Sequence, residues 1–347
     1  KIKKEMSNNN IVNIEYNRVT NVTSTDFPSY SQSNSGMTVW ETEKFKNTLD
    51  IEIKSLEERD CNFDLKNVDT SIANAFRRIM ISEVPSVAAE AVYIYNNTSV
   101  LQDEVLAHRI GLVPLQIDPE ELTWCESNGD NDENTESKYT DKNTIVLTLD
   151  IACTRNVNAP KGCTDPKILY HNSSVYSRDL KFQPEGNQAE IFANKPIVPC
   201  DDDILICKLR PGQEISLRVH CILGVGADHA KFSPVSTASY RLLPHINLMK
   251  DFTGESAKRL QGCFPEGVIG IDADGKAFVK DARKDTVSRE VLRYDEFKND
   301  VKLGRIRDHF IFNVESTGAM TPEEIFFKSV RILKSKAEYL KNCPISQ

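Results

Sequence analysis

No stretch of this 347-residue chain approaches the roughly 18 consecutive apolar residues that a membrane-crossing helix needs, so no helical span is expected. The opening residues, KIKKEMSNNN, lack the apolar core of a secretory signal, and export is not expected; Met6-Ser7 reads as a natural start behind a short extension. No Cys-x-x-Cys pair occurs. The nine cysteines are an odd number scattered from Cys61 to Cys343. That usage points to a reducing compartment and to thiols serving as small buried hydrophobes. The sequons at Asn21, Asn96 and Asn172 are then coincidental. Neither Gly-x-Gly-x-x-Gly nor a Gly-Lys-Ser/Thr ending is present, so Gly224-Val225-Gly226 reads as a glycine-permitted turn and not as a phosphate loop. Basic charge is also short. Lys and Arg total 43 against 51 Asp and Glu, a net charge of −8, which weighs against a protein that grips nucleic acid by its backbone.

Metal ligation lacks its usual spacing. Cys125, Cys153, Cys163, Cys200 and Cys207 are all at least seven positions apart, far from the rhythm of structural zinc, and no metal or other cofactor is expected. Acid–base chemistry has thin support. Glu104 and His108 share a helix face, with Arg109 beside them, but no nucleophile lies nearby in sequence. Asp201-Asp202-Asp203 is a consecutive run in a Pro-flanked loop and reads as a solvated turn.

What is present is patterned apolar surface. The length suggests about two domains. Asp69 and Thr70 can cap a helix in which Ile72, Phe76, Ile79 and Met80 follow the spacing of one apolar face. Pro85 stops it near Glu83, and Arg77 and Arg78 flank the stripe. A second helix opens on Thr321-Pro322-Glu323-Glu324, a capping box with Pro in the first turn. Phe326, Val330, Leu333, Ala337 and Leu340 then run at 4-3-4-3 spacing, with Ile325, Ile332 and Tyr339 widening the stripe. The pattern alone leaves open whether these two helices pack inside the chain or against another one.

Strands are predicted where apolar residues alternate: a half-buried one at Ile51 and Ile53, then Cys61-Phe63-Leu65, Val87 to Tyr95, Ile145-Leu147-Leu149-Ile151, Ile215-Leu217-Val219-Cys221 and Phe310-Phe312-Val314. Asn13 to Thr25 reads as strand and turn. Asp103 is expected to cap a short helix ended by Gly111 and Pro114. Residues 29–37 read as a linker, 125–143 as an acidic, Asn-rich loop, and 113–213 as a separate small domain.

The blocks NAFRRIM (Asn74 to Met80), SEVPS (Ser82 to Ser86) and DEVLAHRIGLVPL (Asp103 to Leu115) resemble the α motif of multisubunit RNA polymerases. Leu209 to Pro244 and Phe310 to Leu340 extend the resemblance, which covers most of the chain from about Asn10 onward. Without a clustered cysteine site it is most similar to the α-like branch shared by eukaryotic polymerases I and III, in a budding-yeast form. The resemblance implies an α+β fold of two domains: a discontinuous dimerisation domain interrupted by a mostly-β insert. Its parts would be residues 1–48 (strand and linker), 49–112 (first half), 113–213 (insert) and 214–347 (second half with the C-terminal helix). It further implies a non-catalytic assembly subunit, nuclear and nucleolar, serving transcription of ribosomal RNA, 5S RNA and tRNA. Ile72, Phe76, Ile79, Met80, Ile325, Phe326, Val330, Leu333, Ala337 and Leu340 would pair with a smaller α-like subunit. Arg77, Arg78, His229 and Lys231 would meet the second-largest subunit, and small zinc-binding shared subunits would also join. The alternatives are an α-like subunit of another nuclear polymerase, an enzyme using Glu104, His108 or the Gly224 loop, or a DNA-binding factor. The last is disfavoured because the chain ends at Gln347 directly after its helix.

Overall fold

A computed structural model of the chain describes residues 11–22, 42–125, 139–160, 162 and 164–343. The expected linker at 29–37, most of the acidic loop and Cys163 lie outside the described residues. The strands that organise the fold are β1 (Ile11–Ile14), β2 (Val19–Thr20), β3 (Asp50–Leu56), β4 (Asp60–Lys66), β5 (Pro85–Asn97), β6 (Thr144–Ala152), β7 (Lys181–Gln183), β8 (Glu214–Val225), β9 (Val235–Leu248) and β10 (Val301–Ser316). The main helices are α1 (Thr42–Thr48), α2 (Thr70–Ser82), α3 (Asp103–Gly111), α4 (Gly254–Gly262) and α5 (Pro322–Asn342).

The chain divides into two compact units. One comprises residues 1–56, 62–74 and 239–313; the other comprises 57–61, 75–238 and 314–347. The first is built on a sheet of order β2-β1-β10-β4-β3, with β9 also paired to β10. Its core gathers Phe252, Leu260, Val268, Phe297 and Leu303. Much of that core comes from 250–300, where short elements carry little periodicity and sequence reading singled out nothing. The ionic centre of this unit is Asp64, 3% exposed, which accepts hydrogen bonds from Arg283 and, at 3.0 Å, from His309 Nε2.

The second unit centres on the antiparallel sheet β7-β6-β8-β5. In β8, Ile215, Leu217, Val219 and Cys221 are buried to 1% exposure or less, as the alternation predicts. They join Val87, Leu106, Ile145, Leu147 and Leu149 in one core. This sheet crosses the boundaries expected at 112/113 and 213/214. The central strand β8 uses one edge for β5 and the other for β6, so strands from 85–97, 144–152 and 214–225 share one sheet.

Two local expectations are corrected. β3 is exposed along its whole length, with Ile51 at 46% and Ile53 at 55%, because it is an edge strand with only β4 beside it. Asp103 does not cap α3. Gln102 holds that position, and Asp103 sits in the first turn, where its carboxylate accepts from Asn97 Nδ2 at 2.7 Å and faces the positive end of the helix.

Candidate partner interface

α2 starts as its sequence dictates. Asp69 Oδ1 accepts from the Ser71 backbone N–H at 2.8 Å, satisfying a donor that the first turn leaves without an intrahelical partner. The helix ends at Ser82, just ahead of Pro85. Its apolar stripe is then divided. Ile79 and Met80 are 3% and 0% exposed and belong to the chain's own core. Ile72 and Phe76 remain half-buried.

α5 opens on the expected capping box. The Glu324 N–H donates to Thr321 Oγ1 at 3.3 Å, and the Thr321 N–H donates to Glu324 Oε2 at 3.2 Å, with Pro322 in the first turn. Ile325 is fully buried, another position the chain fills itself. Phe326 meets Phe76 edge to face, ring centroids 5.4 Å apart, so the two helices touch through aromatic rings. Lys336 Nζ adds an ion pair to Glu83 at 2.6 Å.

Beyond that contact the heptad seam is open. Leu333 is half-buried, Val330 is 40% exposed and Leu340 70%; Ala337 is exposed too, as is every residue from Lys334 to Asn342. Burial of apolar area is what stabilises an amphipathic helix, and propensity alone makes one of this length marginal in water. α5 therefore carries an apolar face that nothing among the described residues covers.

The flanking cations differ in availability. Arg78 is exposed and Arg77 half-buried. The loop after β8 lies against the end of α2, where the Ala227 N–H donates to Ser82 O at 2.8 Å. That approach explains Gly226: a Cβ there would stand 2.2 Å from Ile81 O. Gly224 would likewise drive a Cβ into the Phe232 ring at 2.6 Å. Neither glycine has a positive φ, so closeness and not turn geometry demands them. His229 Nδ1 accepts from the Lys231 N–H at 3.1 Å. The Lys231 ammonium is already paired with Glu90 at 2.6 Å, its side chain 13% exposed, which leaves it less free than expected for a second protein.

His108 faces His229 with ring centroids 6.5 Å apart. Burial pushes the Cys200 thiol up to about 11 and the Cys221 thiol up to about 12, so both stay protonated at neutral pH. Among the described residues no group of three or more His, Cys, Asp or Glu is placed to hold a metal, and no helix is long and apolar enough to cross a membrane. Sequence reading missed Phe327, 64% exposed beside the seam, and the Lys336–Glu83 pair. Phe327 could have been flagged as an apolar residue left over after the heptad is assigned.

The comparisons agree with the geometry. The family model described as the RNA polymerase Rpb3/Rpb11 dimerisation domain matches residues 62–337, from the strand before α2 through most of α5. A Saccharomyces cerevisiae protein, DNA-directed RNA polymerases I and III subunit RPAC1, is 70% identical over 339 residues, 97% of this chain and 99% of that protein. The human protein of the same name is 45% identical, covering 92% of this chain and 90% of its own length. The Dictyostelium discoideum DNA-directed RNA polymerase II subunit rpb3 is 33% identical, covering 83% and 92%. With an open helical seam inside the matched region and relatives spanning nearly its whole length, this chain belongs to the RNA polymerase Rpb3/Rpb11 dimerisation-domain family.

Proposed function

We propose that the chain is a non-catalytic assembly subunit of DNA-directed RNA polymerases I and III, working in the nucleus and nucleolus in transcription of ribosomal RNA, 5S RNA and tRNA. It pairs with a smaller α-like subunit, and the pair receives the second-largest subunit and small zinc-binding subunits. Its contribution is binding free energy, not bond chemistry. The observation that carries this reading is the seam of α5, apolar at heptad spacing and open from Val330 to Leu340. The relatives' names supply the polymerases. Arg78 and His229, beside the α2 terminus, suit a large-subunit contact, because a guanidinium can make paired hydrogen bonds to a carboxylate.

Expressed alone, the chain should self-associate, and co-expression with the smaller subunit should keep it in solution. Leu333→Asp places a charge in the seam at a cost of several kcal/mol, and pull-down of the smaller subunit should be lost. Phe76→Asp tests the same face from α2. Undiminished capture by both variants would place pairing elsewhere.

A further inference from the structure

A groove of about 710 Å³ lies against the first half of α5, lined there by Glu324, Phe327, Lys328 and Arg331. Its floor is apolar: Ile117, Phe192, Ile197 and Met320 are each 7% exposed or less and line it from below. Phe327 stands on its wall at 64% exposure. Charged pairs close the rim. Lys328 Nζ and Arg331 Nη1 converge on Glu120 Oε1 at 3.3 and 3.7 Å, and Lys195 reaches Asp118 at 3.3 Å. The acidic and basic rim groups thus largely satisfy one another, and Phe327 is the large apolar side chain that the groove leaves open to a partner.

The position of Phe327 relative to the seam indicates the occupant. Residues three apart on a helix lie about 4.5 Å apart along its axis and about 60° apart around it. Phe327 and Val330 stand in that relation, and both are exposed. The apolar stripe from Leu340 through Val330 therefore turns without interruption into the groove mouth. A chain lying along the seam toward the start of α5 arrives there directly.

We propose that this groove docks a segment of the smaller α-like subunit just outside its pairing helix, through a bulky apolar side chain set against Phe327. The inference rests on the heterodimer reading above. It makes the interface two-part: a helical seam and a side pocket.

The test uses the co-expressed heterodimer. A photo-crosslinking phenylalanine analogue at position 327 should label the smaller subunit at a segment outside its pairing helix. Phe327→Ala should weaken pairing about tenfold, and Ile191→Ala, a control at another exposed apolar residue of the same unit, should leave it unchanged. Deleting the labelled segment should reproduce the Phe327→Ala loss and make the two changes non-additive. If the wild-type chains fail to pair, the heterodimer reading falls. If they pair, and position 327 labels only the pairing helix, another protein or nothing, with Phe327→Ala neutral, the groove proposal is overturned while the heterodimer stands.

Discussion

β8 and α5 carry apolar patterns of similar regularity, yet the chain treats them in opposite ways. Along β8 every second residue from Ile215 to Cys221 is at 1% exposure or less, because neighbours on both edges bring side chains over the same face. Along α5 the repeat is equally clear, but Val330 and Leu340 stand at 40% and 70% exposure. A pattern states which face must be buried. It does not state which molecule does the burying. The charged groups divide in the same way: Asp64 finds Arg283 and His309 within its own unit, whereas Arg78 is exposed at the end of α2. If this division is real, mutations on the two sides should fail in different assays.

The largest effect is expected at Asp64. Burial alone would raise its carboxyl, but hydrogen bonds from Arg283 and His309 outweigh that and hold it below the ordinary carboxylate value. Removing one member of a buried pair strands the other charge, so Asp64→Ala should cost about 3 to 5 kcal/mol in urea unfolding. The sign with pH follows from the depressed folded value. The contribution is present above the ordinary carboxylate pKa of about 4 and is lost as pH falls through the folded one. The wild type should therefore lose an acid-sensitive component below about pH 4 that the variant lacks. Equal acid profiles for both would mean the pair adds nothing.

Next comes the apolar comparison itself. Leu217→Ala leaves a cavity in a closed core and should cost about 2 to 5 kcal/mol of unfolding free energy. Leu340→Ala, removing the same side chain from an open face, should change unfolding of the dilute chain by no more than about 0.5 kcal/mol. In the heterodimer the second variant should weaken pairing by about 1 kcal/mol or more. A large unfolding penalty at Leu340 in the chain alone would show that the seam is covered from within.

Arg78 sharpens the charged half. Arg78→Ala should leave both unfolding and pairing with the smaller subunit near wild type, since it flanks the stripe. Docking of the second-largest subunit onto the reconstituted pair should weaken by about 2 to 5 kcal/mol, much of that being the stranded partner charge. Docking at wild-type strength, with a control change on the same surface impairing it, would make Arg78 an ordinary solvated arginine.

This division also explains what was legible in the sequence. Period-two alternation located β8 and β6, and heptad spacing with a capping box located α5 and its first turn, because one-dimensional periodicity maps directly onto a face. The pairing of distant strands was not legible. β5 and β8 pair across more than a hundred residues of intervening chain, and strand register between such distant segments leaves no local mark. Within the interface, sequence found the stripe but not its depth. Ile79, Met80 and Ile325 share a pattern with Phe76 and Val330, and only packing reveals that the first three are already used. The core at 250–300 escaped because its elements are too short to show a period.

The smallest expected effect lies on the outer face of β8, where an internal partner is missing. His220 is held between Tyr93 and Tyr139, ring centroids 4.9 and 4.8 Å away, and both ring nitrogens are buried without a hydrogen-bond partner. Burial lowers its pKa, Arg218 lowers it further, and Glu185, bonded to Arg218, pulls it back up. With the folded value depressed, the unfolded chain takes up the proton first. Stability should therefore fall as pH drops below the unfolded value of about 6.5. His220→Phe keeps an aromatic ring between the tyrosines and removes the two unpaired nitrogens. It should raise stability at neutral pH by about 1 kcal/mol and remove this part of the acid slope. Asp285, whose carboxyl burial raises, works in the opposite direction, so the quantity to read is the difference between variant and wild type at pH 7.5 and 5.5 and not either slope alone. A difference that stays constant between the two would mean that His220 titrates as freely folded as unfolded, and that the tyrosine cage leaves its proton affinity unchanged.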